Sequence, residues 1–230
     1  MEDLKYSYKY PRPAVTTDCV IFGFDNDGLS VLLVQRGIEP YKGHWAFPGG
    51  FLNMEEDAET GALRELKEET GLHAERIVQF GTFTQVDRDP RGRVITIAYY
   101  ALVKKAGVKG GDDAADAQWF PLNTLPPLAF DHDRILRHAM QALKEQIHFK
   151  PVGFDLLPEV FTMPQLQYLY ECILNIKFDR RNFANKIQKL GLVTPVADGE
   201  ERKGSRTPIP YRFNEEQYTR MKTHGFRLEF

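Results

Sequence analysis

Apolar and β-branched residues gather in two short runs near the start of the chain, residues 15–24 and 29–35, separated by Asp25-Asn26-Asp27-Gly28. Turn-forming residues between two such runs predict a β-hairpin. A loop rich in Pro, Gly and aromatic residues follows at 37–50. Residues 57–70 then contain no proline, favour helix formers and stop at Gly71, which predicts a helix closed by a glycine C-cap, with Gly61 as a weak point inside it. Strand-like segments recur at 77–84, 94–103 and 118–120. Between 131 and 147, Ile135, Leu136, Ala139, Met140 and Leu143 fall on one side of a helical projection.

The pattern changes near 148–157, where Lys150-Pro151-Val152-Gly153 breaks the preceding helix. Two domains are expected, 1–150 and 151–230. In the second, Thr162 and Gln165 form a capping-box pair ahead of Leu166, Leu169, Tyr170, Ile173 and Leu174, which share one helix face. A further helix starts at Asp179 as N-cap and ends at Gly191. It places Phe183, Ile187 and Leu190 on one face and Asn182, Asn185, Lys186 and Lys189 on the other. Runs at 192–196 and 209–213 then flank a polar, basic loop. Helix, turn, helix, strand, loop, strand is the order of a winged helix.

Composition narrows the class. The chain has 230 residues with 42% hydrophobic and 12% aromatic content, enough to fill the cores of two globular domains. No apolar run reaches the length of a signal-peptide core or a membrane span, so no membrane association and a cytoplasmic location are expected. Cys19 and Cys172 are the only cysteines, which argues against a disulfide scaffold or a thiolate metal site and predicts two buried, reduced thiols. The net charge of −2 hides an asymmetry: residues 177–212 hold nine basic side chains against four acidic ones. That stretch is a candidate anion-binding surface.

The chemistry is concentrated in one motif. From Gly50, five residues lead to Glu56, seven more lead to Arg64-Glu65-Leu66, and Lys67, Glu68-Glu69, Thr70 and Gly71-Leu72 follow. Glu65, Glu68 and Glu69 stand at i, i+3 and i+4, so a helix projects all three carboxylates from one face within reach of hard cations. Magnesium or manganese there would neutralise them, bridge diphosphate oxygens and lower the pKa of a bound water for attack on phosphorus. The Gly49-Gly50 pair lets the loop backbone come close, with a Gly50 carbonyl as a further ligand. A solvated acidic helix face is the plain alternative for an arbitrary Glu-x-x-Glu-Glu.

This run fills every position of the signature Gly-x5-Glu-x7-Arg-Glu-aliphatic-x-Glu-Glu-x-Gly-aliphatic, and over residues 12–148 the chain resembles the Nudix hydrolase family. The resemblance implies an α/β fold, an α/β/α sandwich around a mixed sheet. It also implies hydrolysis of a nucleoside diphosphate derivative, Arg64 as an orienting cation paired with carboxylates of the box, and Glu56 as support for that geometry. Residues 85–93 resemble the corresponding stretch of ADP-ribose-type Nudix proteins. Arg88, Arg91 or Arg93 could reach phosphate there, or the segment is a solvated charged loop. Trp45 and Phe47 could stack on a base, with core packing as the simpler role. His44 and His132 sit in no metal-ligand spacing and read as loop and helix-start residues.

Residues 154–230 resemble the winged-helix domain of Nudix-related transcription regulators of the NrtR type, through Phe161-Thr162, Leu166-Gln167-Tyr168-Leu169-Tyr170-Glu171 and Asp179-Arg180-Arg181-Asn182-Phe183. The resemblance implies binding to double-stranded DNA as a homodimer. Arg180, Arg181, Asn182, Asn185, Lys186 and Lys189 would face a major groove and Arg202, Lys203 and Arg206 would touch phosphates. Three functions remain open at this point: a ligand-responsive repressor that binds and cleaves an ADP-ribose-like metabolite, a sensor of a nucleotide or sugar without turnover, and a hydrolase whose second domain only dimerises.

Overall fold

The computed structural model describes residues 8–108, 110, 114–149, 156–196 and 208–223. The first two apolar runs pair as an antiparallel hairpin, β1 (Ala14–Asp25) and β2 (Gly28–Arg36), with Asp25 opposite Gly28 across the turn. Gly28 has φ 105°, a left-handed conformation that favours glycine. β1 pairs in parallel with β5 (Val94–Lys104), and β5 pairs antiparallel with β4 (Val78–Phe83). β2 carries both β3 (Trp45–Ala46) and β6 (Ala114–Pro121), which completes a six-stranded mixed sheet. β6 extends well before the expected 118–120. Its Ala- and Asp-rich start has little strand propensity of its own and is held by long-range pairing with β2.

Side chains alternate across β1, and the two sets enter different cores. Cys19 and Ile21 pack with Ala62 and Leu66 of helix α1 (Ala58–Thr70). Val20 and Phe22 pack on the opposite face with Ile135, Ala139 and Leu143 of helix α2 (His132–Gln146). The result is the expected α/β/α sandwich. α1 is bounded as its sequence dictates. The Asp57 carboxylate accepts a hydrogen bond from the Thr60 N–H at 2.8 Å, and Gly71, at φ 70°, donates its own N–H to the Lys67 carbonyl.

The C-terminal part folds as a winged helix: β7 (Phe161–Thr162), α3 (Met163–Leu174), α4 (Arg180–Lys189), β8 (Val193–Pro195), β9 (Pro210–Phe213) and α5 (Glu215–Thr223). Its strands form a three-stranded sheet in the order β7-β9-β8. The Gln165 side-chain oxygen accepts from the Thr162 N–H at 2.8 Å, Asp179 caps α4 through the Asn182 N–H at 2.8 Å, and Gly191 stops it at φ 68°. β7 and α5 are additions to the expected order, because a two-residue strand carries no periodicity and α5 shows no strong apolar face. Arg202, Lys203 and Arg206 of the expected wing lie outside the described residues, as does most of the expected domain boundary.

The two parts share a core. Leu143 and Ile147 of the sandwich and Leu166, Leu169 and Ile173 of α3 belong to one continuous apolar cluster, and the Phe24 and Tyr168 rings meet at 5.6 Å. Within the winged helix, Glu171 ties α3 to the turn before α4. Its carboxylate accepts from Lys177 at 2.8 Å, from Gln167 at 2.9 Å and from the Phe178 N–H at 3.0 Å. Burial raises its pKa, but the hydrogen bonds from Gln167, Lys177 and Phe178 outweigh this and hold it down to about 2. A carboxyl depressed by folding stabilises above its unfolded pKa and loses that contribution as pH falls towards its folded value. Glu171→Ala is therefore expected to cost about 1–2 kcal/mol at neutral pH, with the gap to wild type closing in urea melts as pH falls from about 4.5 to about 2.

Candidate functional site: a carboxylate helix beside a polar cavity

The C-terminal half of α1 lies under the Gly49-Gly50 loop, and between them opens a cavity of about 330 Å³. Glu65, Glu68 and Glu69 line it from α1, Thr16 and Asp18 from β1, Arg36 from the end of β2, and Arg88, Asp89 and Arg91 from the loop before β5. Phe130 and His132 close the far side, at the start of α2. The glycines are required by close approach. A side chain at Gly50 would strike the Glu65 carboxylate, and one at Gly49 would strike the Thr17 carbonyl.

Arg64 organises the acidic face. Its Nε and one terminal nitrogen bind both oxygens of Glu56 at 3.0 and 2.6 Å, and its other terminal nitrogen binds Glu65 at 2.8 Å and Glu68 at 2.9 Å. The hydrogen bond from Arg64, helped by the Asn53 N–H at 2.8 Å, holds the Glu56 carboxyl down to about 2. Glu56 is therefore an obligate anion that fixes the guanidinium, not a lining residue of the cavity. Glu69 is placed differently. Burial pushes its carboxyl up to about 8 against the opposing Gly49 N–H bond at 2.9 Å, and the neighbouring Glu65 and Asp18 push the same way. Burial raises the Glu65 carboxyl as well.

Arg64 brings a single positive charge to three carboxylates, Glu56, Glu65 and Glu68, so the acidic face keeps a net negative charge. Among the described residues no three His, Cys, Asp or Glu side chains converge as a ready-made cage, because Arg64 draws Glu65 and Glu68 and the Gly49 amide draws Glu69. The donor set nevertheless fits a hard divalent ion. It consists of oxygen ligands only, on one helix face, beside a loop whose backbone a Cβ would displace.

Behind the carboxylates lies a buried layer that sequence reading did not find. The His132 Nδ1 accepts the Phe47 N–H at 2.9 Å, so in the neutral ring Nε2 carries the proton and faces Asp18 Oδ1 at 3.4 Å. Burial lowers the His132 pKa and keeps the ring neutral. Its face stacks on Phe47 at 5.1 Å and 8°. Phe47 is thus a core residue, as expected, while His132 is a structural clamp. Arg88 is also buried. It grips Asp131 through two hydrogen bonds, at 3.2 and 2.7 Å, and lies 3.6 Å from Asp18.

The expected site residues therefore separate by role. Gly49, Gly50, Arg64, Glu65, Glu68, Glu69 and Arg88 line the cavity together. Arg93 does not; its guanidinium donates to the Thr84 and Gln85 carbonyls at 2.7 and 3.0 Å and staples the loop. Asp18, Arg36, Phe51, Phe130 and His132 are lining residues that sequence reading missed. Only Phe51 carried a local signal, as an aromatic residue directly after the glycine pair. In the winged helix, Arg180, Arg181, Asn182, Asn185 and Lys189 are exposed on α4, Lys186 is half-buried, and Phe183 and Ile187 face the core. Cys19 is buried, with its thiol pushed up by burial and beyond reactive range, and Cys172 is half-buried. Among the described residues no helix is long and apolar enough to cross a membrane.

Residues 12–139 match the NUDIX domain and residues 153–213 match the NrtR DNA-binding winged helix domain. The chain is 33% identical over 214 residues to the ADPR responsive transcriptional repressor NtrR of Acinetobacter baylyi, covering 91% of this chain and 85% of the relative. Over 139 residues it is 43% identical to the ADP-ribose pyrophosphatase of Methanocaldococcus jannaschii, covering 60% of this chain and 80% of that one. The fold superposes on Shewanella oneidensis NrtR complexed with a 27mer DNA with a TM-score of 0.73 at 28% identity, covering 93% of this chain and 97% of the other. Both halves of the molecule, the carboxylate helix under its glycine loop and the basic helix on its three-stranded sheet, are accounted for together: the chain belongs to the Nudix family, as a regulator that joins a Nudix domain to an NrtR-type winged helix.

Proposed function

We propose that this protein is a DNA-binding repressor whose Nudix domain takes ADP-ribose as its ligand and, with magnesium or manganese, cleaves it to AMP and ribose 5-phosphate. The observation that carries the reading is the cavity in which the three box glutamates meet Arg36 and Arg88. Cationic side chains suit a diphosphate and the carboxylates suit the cation that would accompany it. Glu65, Glu68, Glu69 and the Gly50 carbonyl would hold that ion, which supplies a Lewis acid and an activated water. The chain's own contribution is positional. Arg64, fixed by Glu56, orients the carboxylates; Gly49 and Gly50 admit the diphosphate; the buried Arg88–Asp131 pair anchors the cavity wall.

Ligand occupancy has a direct physical route to the DNA-binding part. Helix α2 starts in the cavity wall with His132, next to the Arg88-bound Asp131, and its Leu143 packs in the cluster shared with α3. Ligand bound at one end of α2 would bias how α3 and α4 are held at the other, provided the two states differ in ligand affinity. A homodimer on paired half-sites is proposed, with α4 in the major groove. One observation favours a second reading, sensing without turnover. Arg64 engages one oxygen each of Glu65 and Glu68 and the Gly49 amide one of Glu69, and among the described residues these carboxylates do not converge as a preformed metal cage.

One experiment separates these readings: gel retardation of the chain's own upstream DNA with and without ADP-ribose, run beside a chromatographic assay for AMP release in magnesium. Loss of retardation with AMP release is the expected result. Loss of retardation without AMP would leave a sensor, and absence of any salt-sensitive retardation would leave a hydrolase whose second domain only dimerises.

A further inference from the structure

Two exposed apolar side chains, Ile38 at 50% and Phe51 at 44%, line a cavity otherwise walled by charge. Phe51 is not exposed through a loose backbone. Its carbonyl accepts from Arg64 at 3.3 Å, its backbone bridges to Thr16, and the next residue, Leu52, donates its N–H to the Val15 carbonyl at 3.0 Å. A phenyl ring is thus held in solvent, one residue from the glycine cradle, at a standing hydrophobic cost that a ligand would remove.

Arg91 lies against that ring, its guanidinium carbon 5.0 Å from the Phe51 centroid and 5.7 Å from that of Phe130. Asp89, buried beneath, takes the Arg91 Nε at 3.0 Å and one terminal nitrogen at 2.6 Å. With its fork consumed by Asp89, Arg91 offers the cavity the flat face of a guanidinium more than a phosphate clamp. Phe130 sits behind in a left-handed conformation, φ 53°, which a bulky residue adopts only when its surroundings impose it. Its ring packs on Tyr41 at 4.8 Å and carries the Arg36 guanidinium at 4.8 Å.

We infer that Phe51 and Arg91 form the platform on which the planar base of the nucleotide ligand stacks, so that these two residues favour a diphosphate that carries a base over one that lacks it. This rests on the nucleotide reading above and adds to it which end of the ligand lies where. Phenyl and guanidinium faces complement an electron-rich heteroaromatic ring, whereas a sugar in the same place would need converging donors that Asp89 has already taken.

The test compares two probes by calorimetry in magnesium: a methylene-bridged analogue of ADP-ribose that resists hydrolysis, and ribose 5-diphosphate, which keeps the diphosphate and lacks the base. Phe51→Leu is expected to raise the Kd of the first by about ten-fold or more and that of the second by less than about two-fold. It should also reduce the loss of adenine absorbance that stacking produces, and Phe51→Tyr should restore both. Equal weakening of the two probes would place Phe51 at the diphosphate and overturn the inference, as would no change with either. If wild type binds ribose 5-diphosphate but not the ADP-ribose analogue, the ligand reading itself falls, a result visible before any variant is made.

Discussion

Replacing Glu69 with glutamine is expected to lower metal-dependent hydrolysis of ADP-ribose by about two to four orders of magnitude while leaving the fold intact. The amide keeps an oxygen to accept the Gly49 N–H, so the loop stays anchored, but it removes the charge a divalent ion needs. The same substitution should make the metal-free protein more stable at alkaline pH. The Glu69 carboxyl is pushed up to about 8, chiefly by burial, against an ordinary value of 4.5. A carboxyl raised by folding stabilises below its unfolded pKa and loses that contribution as pH rises through the folded value. In chelator, therefore, Glu69→Gln should melt above wild type at pH values near and beyond about 8, with the difference vanishing as pH falls below about 4.5. Magnesium should raise the Tm of wild type and leave that of the variant unchanged. Full turnover by Glu69→Gln would exclude this carboxylate from the metal site.

The second large effect is expected on α4. Arg181 and Lys189 are exposed on the helix face opposite Phe183 and Ile187, so their removal leaves the core untouched. A double variant, Arg181→Ala with Lys189→Ala, should weaken binding to operator DNA by about ten- to a hundred-fold and reduce the salt dependence of log K by about one to two, one for each phosphate no longer neutralised. Asn185→Ala should act otherwise. An amide that reads a base edge gives sequence discrimination, so its loss should narrow the ratio of specific to non-specific binding with little change in salt slope. Fluorescence anisotropy across a salt series distinguishes the two patterns. Unchanged affinity and slope in the double variant would remove α4 from the DNA interface. In neither case should AMP release change, since α4 lies apart from the cavity residues.

What could be read directly from the chain is what neighbouring residues decide among themselves. The span of α1 follows from Asp57 at one end and Gly71 at the other, and the common face of Glu65, Glu68 and Glu69 follows from helical spacing alone. The β1–β2 hairpin follows from its Asp-Gly turn, and α3 and α4 follow from the Thr162–Gln165 pair and the Asp179 cap. Tertiary structure decided the rest, because it depends on which distant segments the sheet brings together. Arg88, Arg91 and Arg93 are equivalent as letters in one loop. Only the fold turns Arg88 inward onto Asp131, lays Arg91 across Phe51 and spends Arg93 on backbone carbonyls. His132 is one more helix-start residue until the crossover after β6 sets its ring on the Phe47 amide, 85 positions away. Asp18 becomes part of the site only because β1 runs through the middle of the sheet beside the glycine loop. Caps, turns and periodicity are local free energies of one or a few residues, whereas the walls of a cavity are set by strand register and by burial, which no short stretch of sequence contains.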